Sequence, residues 1–160
     1  ASSWHIIIRP HPQSSISEKD TLDTLMEALK DRSNIEWNFD TDNFTALARS
    51  RLLVSDFSGI IFDFAFLFGR PVVYPSYTFD PRPYDAADCD EEAWTFKTLG
   101  TIGRKLEEKN FSEIDTFLQS VIEDKDRSTA IEQARREAWA YPGESAKKVV
   151  DYLVKGKKDD

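Results

Sequence analysis

The sequence is poor in the residues that form disulfides and metal sites. It contains one cysteine, Cys89, and two histidines, so no internal disulfide can form and no Cys/His cluster has the spacing of a metal site. A single thiol is typical of proteins from a reducing, cytoplasmic compartment. The sequence therefore predicts no disulfide, no metal centre and no cofactor.

Long apolar runs and a surplus of positive charge are also missing. The longest apolar run, from Gly59 to Gly69, is interrupted by Asp63 and is far shorter than the roughly 20 residues that span a membrane. A net charge of -8 argues against nonspecific binding to nucleic acid, and we expect no nucleic-acid partner. The chain opens into a predicted strand with no signal peptide, from which we expect a piece of a longer protein.

The residues that are present describe an ordinary globular chain. Hydrophobic residues make up 40% and charged residues 31% of its 160 positions, enough for one substantial core. That length favours one domain. We predict a single domain over residues 1–155, followed by a charged tail over residues 156–160.

Short apolar strands alternate with helices along the chain. The predicted strands are residues 4–8, 34–39, 51–56 and 70–76. Strand, loop and helix in repeated order indicate a parallel sheet with right-handed crossovers, and uniformly apolar strands indicate that helices cover both faces. The sequence therefore predicts an α/β fold with a Rossmann-like parallel sheet.

Helices are predicted from apolar residues that recur at helical spacing. In the first, Leu22, Leu25, Met26 and Leu29 form one stripe, and Ser17 with Asp20 has the spacing of a capping box. Residues 76–98 have no clear period and predict a long loop with one helical turn near residues 91–96; residues 98–106 predict a short strand or turn. Further helices are predicted at residues 43–50, 58–68, 110–125, 128–141 and 143–156.

Polar residues follow the predicted strands, at the edge where open parallel sheets bind ligands. Arg9 and His11 follow the first strand, and His11 is held between two prolines. Histidine suits general base or phosphate-binding chemistry near neutral pH. The alternative, a surface histidine on a turn, is about equally supported by the residues alone. His5, inside the strand, is predicted to be structural.

The turn from Ser55 to Gly59 precedes a predicted helix. Its backbone N–H groups suit a phosphate, the Ser58 hydroxyl adds a donor, and Gly59 allows close approach to the backbone. The alternative is that Ser58 or Asp56 only caps the helix, and residue chemistry alone slightly favours that alternative.

Asp63 lies in the middle of an apolar run. A carboxylate is costly there unless it is paired with a cation, hydrated or bound to a ligand. It follows Ser58 by five residues, so it could accept hydrogen bonds from a ribose diol while the helix start binds a pyrophosphate. The alternative is a buried ion pair with Arg9 or Arg70. The residues alone leave both open.

Three segments together resemble a known family. "IIIRPHP", then "LLVSDFSGIIFDFAFLFGRPVVYP" and finally "AYPGESAKKVVDYL" resemble the C-terminal half of the CDP-glycerol:poly(glycerophosphate) glycerophosphotransferase family, the teichoic-acid polymerases and primases of bacterial cell walls. The resemblance extends from Ile6 to Leu153. It implies a GT-B-like architecture of two Rossmann-like domains, with this chain as the domain that binds the nucleotide-activated donor.

The resemblance also implies roles for particular residues. His11 matches the histidine at the reacting phosphate and Arg9 a substrate-binding position, Ser58 and the amide of Gly59 match the pyrophosphate-binding turn, and Asp63 matches the acidic residue near the ribose. The implied reaction is attack of an acceptor hydroxyl on the phosphate nearest the glycerol of CDP-glycerol, with CMP leaving. Turnover is expected of the full-length enzyme and not of this chain alone.

Two departures from the family pattern widen the choice of donor. Gly59 stands where members commonly carry a second Ser or Thr, and Arg82 is the one arginine in an acidic stretch over residues 78–92, with Asp56 a further candidate contact. CDP-ribitol or a nucleotide sugar therefore stays open as the donor. The resemblance assigns the acceptor mainly to an N-terminal domain, and peripheral association with the inner face of the plasma membrane to other parts of the full-length protein.

Two other functions compete with the transferase. One is a nucleotide-sugar enzyme of GT-B type, either a glycosyltransferase or an enzyme like UDP-GlcNAc 2-epimerase, which has a comparable Ser-Gly-Gly turn. The other is a non-catalytic interaction domain, which the acidic stretch over residues 78–92 would suit.

Overall fold

A computed structural model describes residues 4–77 and 93–155. The chain divides into two compact units, residues 1–51 and 52–160, and each is described by itself. The expectation of a single domain, made from chain length, stays a prediction. The charged tail over residues 156–160 lies outside the described residues.

The first unit contains a pair of parallel strands. β1 (Ile6–Ile8) pairs with β2 (Ile35–Trp37), with Ile6 opposite Ile35 and Ile8 opposite Trp37. Parallel strands need a crossover between them, which two helices provide: α1 (Ser14–Ser17) and α2 (Lys19–Leu29). A third helix, α3 (Phe44–Arg49), follows β2. The strands and the α2 and α3 helices predicted for this region are confirmed.

The predicted capping box at the start of α2 is wrong. The helix begins at Lys19, after Glu18, and no side chain caps it. Ser17 instead ends α1, where its hydroxyl donates to the carbonyl oxygen of Gln13 at 3.1 Å. Ser17 therefore lies inside α1, and the N-cap position of α2 is occupied by Glu18 instead.

The second unit begins with an alternation of strands and helices. In chain order these are β3 (Leu53–Val54), α4 (Ile60–Phe68), β4 (Val72–Pro75), α5 (Trp94–Ile102) and β5 (Gly103–Leu106). The three strands form one parallel sheet in the order β3-β4-β5. A 3-10 helix (Glu108–Glu113) and three helices complete the unit: α6 (Ile114–Ile122), α7 (Lys125–Ala138) and α8 (Ser145–Lys155).

Helix α5 corrects the predicted loop. The sequence pattern indicated one helical turn near residues 91–96 and then a strand or turn, whereas residues 94–102 are helical and only Gly103–Leu106 form a strand. Thr98, Leu99 and Ile102 are buried at helical spacing. Glycines at 100 and 103 hid that spacing, because each interrupts the apolar pattern with a residue that usually breaks helices.

Gly69 and Gly103 of the second unit cannot be replaced by a larger residue without strain. Gly69 ends α4 in the left-handed conformation, with φ 62° and its N–H donating to Ala65 O at 2.9 Å. At Gly103 a Cβ atom would lie 2.9 Å from Val72 Cγ2, so β4 and β5 approach too closely for a side chain there.

The core of the second unit lies between its sheet and helices. Its largest fully buried side chains come from α4, the central strand β4 and the helices α5, α6 and α7, namely Ile61, Phe64, Val72, Val73, Ile102, Val121 and Ile131. Parallel sheets flanked by helices confirm the predicted α/β class with Rossmann-like pairing. Among the helices of residues 4–77 and 93–155, none combines the length and apolar character needed to cross a membrane.

Candidate functional site

The turn between β3 and α4 is held by its own side chains. Ser55 N–H donates to Val73 O at 3.1 Å and continues the pairing of β3 with β4. Asp56 Oδ1 accepts from Ser58 N–H at 3.1 Å and from the Ser55 hydroxyl at 3.5 Å. Asp56 therefore organises the turn, which is one part of the capping alternative that the sequence left open.

Two polar groups at the start of α4, the Ser58 hydroxyl and the Gly59 N–H, are available to a ligand. The Ser58 hydroxyl accepts from Ile60 N–H at 3.5 Å, the outer limit of a hydrogen bond, and the side chain is exposed. The N–H of Gly59 has no acceptor among residues 4–77 and 93–155. Gly59 has ordinary helical dihedral angles, and a Cβ built there meets no atom within 4 Å. The helix start is thus accessible to a ligand and has room for a larger residue.

The orientation of helix α4 explains why a carboxylate, Asp63, can occur in the apolar run. Ile61, Phe64 and Ala65 are buried on one side of the helix, whereas Asp63 is exposed on the other. Asp63 N–H donates to Gly59 O at 3.4 Å, so the carboxylate lies one helical turn beyond Gly59. The carboxylate is therefore hydrated rather than buried.

The buried ion pair considered for Asp63 is wrong. The carboxylate is exposed, and no Lys, Arg or His nitrogen of the described residues of its own unit, 52–77 and 93–155, lies within 4.0 Å of it. The guanidinium of Arg70 lies 5.4 Å from the Phe68 ring centroid, and Arg9 is bonded to residues of its own unit. The ribose contact predicted for Asp63 stays a prediction, and its exposure leaves it available for that role.

Aromatic rings stand beside the same turn. Phe57 packs against Tyr77, with centroids 5.2 Å apart and planes at 86°, and against Phe96 at 5.8 Å and Tyr74 at 6.4 Å. Tyr77 follows β4 and is 55% exposed. Partial burial, and then the negative charge of Asp56, raise the pKa of Tyr77. The Tyr77 hydroxyl is thus a neutral hydrogen-bond donor at neutral pH.

Arg9, at the end of β1, is bonded within the first unit. Its Nη2 donates to Asp40 O and to Asn43 Oδ1, each at 2.7 Å. Its Nη1 is buried and has no hydrogen-bond partner among the described residues. The same is true of Asn38 Oδ1. Asn38 Nδ2 donates to Asp40 Oδ2 at 2.8 Å. Arg9 therefore braces the loop after β2 against the start of α3.

His11 is exposed and has a defined hydrogen bond on one ring nitrogen. Its Nδ1 accepts from Gln13 N–H at 3.2 Å, and its carbonyl oxygen accepts from Ser14 N–H at 2.9 Å. A neutral imidazole that accepts at Nδ1 carries its proton on Nε2. His11 can therefore donate a hydrogen bond from Nε2, as contact with a phosphate requires.

His5, which is predicted to be structural, contacts Glu36 on the surface of the first unit. Its Nε2 lies 3.0 Å from Glu36 Oε2, and Arg49 donates to both oxygens of the same carboxylate at 3.1 and 2.6 Å. The hydrogen bonds from Arg49, and next from His5, lower the pKa of Glu36 to about 2. This cluster links β2 and α3 on the surface of the first unit.

Two further predictions concern Arg82 and the metal ligands of the chain. Arg82 lies outside the described residues. Among residues 4–77 and 93–155, no three His, Cys, Asp or Glu side chains are grouped as a metal site would require.

The aromatic contact between Phe57 and Tyr77 beside the turn was not predicted from the sequence. Phe57 and Tyr77 are 20 positions apart and meet because β3 and β4 pair in parallel, so that both strands end at the same edge. The available indication was an aromatic residue directly after each of two neighbouring predicted strands.

Comparison with known families covers nearly all of the chain. The sequence model of the family described as CDP-Glycerol:Poly(glycerophosphate) glycerophosphotransferase matches residues 2–155. No curated protein and no solved structure gave a match to the chain. The match indicates a transferase of the glycerophosphotransferase type that binds a nucleotide-activated donor. The chain belongs to the CDP-glycerol:poly(glycerophosphate) glycerophosphotransferase family.

Proposed function

We propose that this chain is the donor-binding domain of an enzyme that moves glycerol phosphate from CDP-glycerol to an acceptor hydroxyl in the synthesis of a teichoic-acid-type cell-wall polymer. The proposal also places the enzyme in the cytoplasm, at the inner face of the plasma membrane. The observation that supports it most is the open start of α4, followed by exposed Asp63, in a chain whose family match covers residues 2–155.

The pyrophosphate of the donor is assigned to the turn before α4. Gly59 N–H and the Ser58 hydroxyl supply donors, and the partial positive charge at the helix start favours an anion. Asp56 is assigned to the turn itself, because its Oδ1 is already bonded to Ser58 N–H. Its negative charge is unfavourable near a phosphate, and the turn bonds it accepts reduce that charge's effect.

The ribose is assigned to Asp63. A carboxylate accepts hydrogen bonds from two neighbouring hydroxyls, and bonds to a charged acceptor are the stronger kind. Asp63 lies about 6 Å along the helix axis from Gly59, since each residue of an α-helix rises about 1.5 Å. That separation suits a sugar joined to a phosphate bound at the helix start.

His11 is assigned to a phosphate as a hydrogen-bond donor, on the basis of its own surroundings and the family resemblance. Its Nδ1 is occupied by Gln13 N–H, which leaves the proton on Nε2. The direct substrate contact implied for Arg9 stays a prediction. The contacts that Arg9 makes support a positioning role for the segment that carries His11.

The chemistry is a displacement at phosphorus. The acceptor oxygen forms a bond to the phosphorus nearest the glycerol, and the bond from that phosphorus to the bridging oxygen breaks, so CMP leaves with the bridging oxygen. The acceptor hydroxyl gives up its proton to a base in this step. No residue described here is assigned that step.

Titration of the 160-residue chain with CDP-glycerol, CMP and UDP, followed by amide chemical shifts, tests the proposal. We expect cytidine-selective shifts at Ser58, Gly59 and Asp63. A preference for UDP would favour a nucleotide-sugar enzyme of GT-B type. Absence of shifts with all three compounds would contradict the donor assignment and favour a non-catalytic interaction domain.

A further inference from the structure

The part of the turn that precedes Ser58 carries groups that the donor assignment does not use. Along the chain the order is Asp63, Gly59 and Ser58, then Asp56, with Tyr77 packed on the intervening Phe57. The donor has its own fixed order of ribose, two phosphates and glycerol. If the ribose meets Asp63 and the phosphates meet Ser58 and Gly59, the next group, glycerol, reaches the side that carries Asp56 and Tyr77.

We infer that Tyr77, together with Asp56, contacts the transferred polyol of the donor and sets which polyol is accepted. This inference rests on the proposed function, because it takes the positions of ribose and pyrophosphate from it. Tyr77 is 55% exposed, so about half of its surface is accessible to a ligand. The T-shaped contact with Phe57 fixes the ring at the end of β4.

The chemistry of the pair fits a small polyol. Glycerol phosphate has two free hydroxyls and an apolar C–H surface, which suit one charged acceptor, one neutral hydroxyl and an aromatic ring. In Asp56, Oδ1 accepts the turn bonds from Ser58 and Ser55. Its Oδ2 makes no hydrogen bond within the described part of the chain, so it can accept from a polyol hydroxyl without loss of the turn.

A site of this kind discriminates by the hydroxyls it binds. A donor that lacks the polyol leaves Tyr77 and Asp56 hydrated, so it binds through its nucleotide alone. A longer polyol such as ribitol has to extend past the Tyr77 ring. Tyr77 therefore helps to determine whether CDP-glycerol or CDP-ribitol is the donor, a choice that the sequence left open.

The test compares CDP-glycerol with CDP, which lacks the polyol, by calorimetric titration of the 160-residue chain. We expect CDP-glycerol to bind more tightly than CDP. Tyr77→Leu should weaken CDP-glycerol roughly 10-fold, the range of a hydrogen bond to a polar or charged partner, and leave CDP unchanged. Tyr77→Phe keeps the ring and should lose only part of the preference.

Two further variants separate the contact from the fold. Asp56→Asn keeps Oδ1 for Ser58 N–H and removes the charge. Loss of that charge favours the phosphates of both ligands, so the readout is the ratio of the two affinities, and the preference for CDP-glycerol over CDP should fall. Tyr152→Leu, on α8, replaces a tyrosine of similar exposure, 60%, and should change neither affinity. Ring proton signals of Tyr77 should shift with CDP-glycerol and not with CDP, which a merely structural role would not produce.

The outcomes distinguish the two proposals. If CDP and CDP-glycerol both fail to bind the wild-type chain, the donor site is wrong and the polyol contact falls with it. If CDP binds but CDP-glycerol binds no more tightly, or if Tyr77→Leu weakens both equally, the polyol contact alone is overturned. Loss of the preference for CDP-glycerol over CDP in both Tyr77→Leu and Asp56→Asn, with CDP still bound, supports it.

Discussion

Two polar segments follow parallel strands in this chain, residues 9–13 after β1 and residues 55–59 after β3, and their polar groups are used differently. In the first, the Arg9 guanidinium is bonded to Asp40 and Asn43 of its own unit. In the second, the turn bonds leave Gly59 N–H without an acceptor among the described residues, and α4 presents Asp63 to solvent.

The difference shows that a charge at a strand end need not be available to a ligand. A guanidinium that already bonds its own loop would lose those bonds on turning to a substrate, which reduces what the new contact contributes. An exposed carboxylate on a helix has no such bonds to lose. Asp63 is for this reason a stronger candidate for direct donor contact than Arg9.

The largest effect is expected at Asp63. Asp63→Ala should weaken CMP binding roughly 10- to 100-fold, because hydrogen bonds to a charged acceptor contribute about 1.5–3 kcal/mol. The free energy of unfolding should change by no more than about 0.5 kcal/mol, since the side chain is exposed. Leu67→Ala, on the same helix and 54% exposed, is the matched control and should change neither quantity appreciably. Unfolding of Asp63→Ala would contradict this account.

Arg9 tests the other half of the comparison. Arg9→Ala should lower the free energy of unfolding of the first unit by about 1–3 kcal/mol, because the hydrogen bonds to Asp40 and Asn43 are lost. Urea unfolding followed by amide signals of residues 4–51 measures this. Arg9→Lys keeps the charge but not the paired geometry, so it should restore little stability. Full stability in Arg9→Ala with weakened nucleotide binding would instead support direct substrate contact.

The surface cluster of the first unit gives a pH dependence. The folded pKa of Glu36, about 2, lies below its ordinary value of 4.5, so its stabilising contribution is present above pH 4.5 and is lost as pH falls towards 2. Glu36→Gln should therefore destabilise the first unit at pH 7 and have little effect near pH 2. Unfolding curves of both proteins across that range check the sign, and a difference independent of pH would contradict the assigned ion pair.

The smallest effect is expected at Gly59. Gly59→Ser should leave the free energy of unfolding within about 0.5 kcal/mol of wild type, because the backbone is helical and no atom lies within 4 Å of the added Cβ. If the added hydroxyl reaches the pyrophosphate, CDP affinity should rise about 2- to 10-fold, the range of one neutral hydrogen bond. A weaker affinity would mean that the ligand already occupies this space.

Much of the fold could be predicted because the relevant patterns are local. Apolar strands at residues 35–37, 53–54 and 72–75 and the helix after residue 58 follow from composition and spacing within a few residues. Helix α5 could not be predicted, because Gly100 breaks the apolar period and the burial of the helix depends on packing against other elements. The grouping of strands into two sheets is likewise a property of long-range pairing.

The candidate site divides in the same way. Ser58 and Gly59 could be named from a strand, a turn and a helix in sequence. The exposure of Asp63 could not, because eight of the nine residues in α4 are apolar and any helical face would look alike before the sheet is placed. The contact of Tyr77 with Phe57 depends on the parallel register of β3 and β4 and has no local pattern.

The most direct test of the central claim compares CMP with its 2′,3′-dideoxy analogue on wild-type chain and on Asp63→Asn. If Asp63 binds the ribose diol, wild-type chain should prefer CMP by roughly 10-fold or more, and Asp63→Asn should lose most of that preference while still binding the analogue. An equal preference for CMP in both proteins would contradict the assignment of the exposed α4 face to the donor.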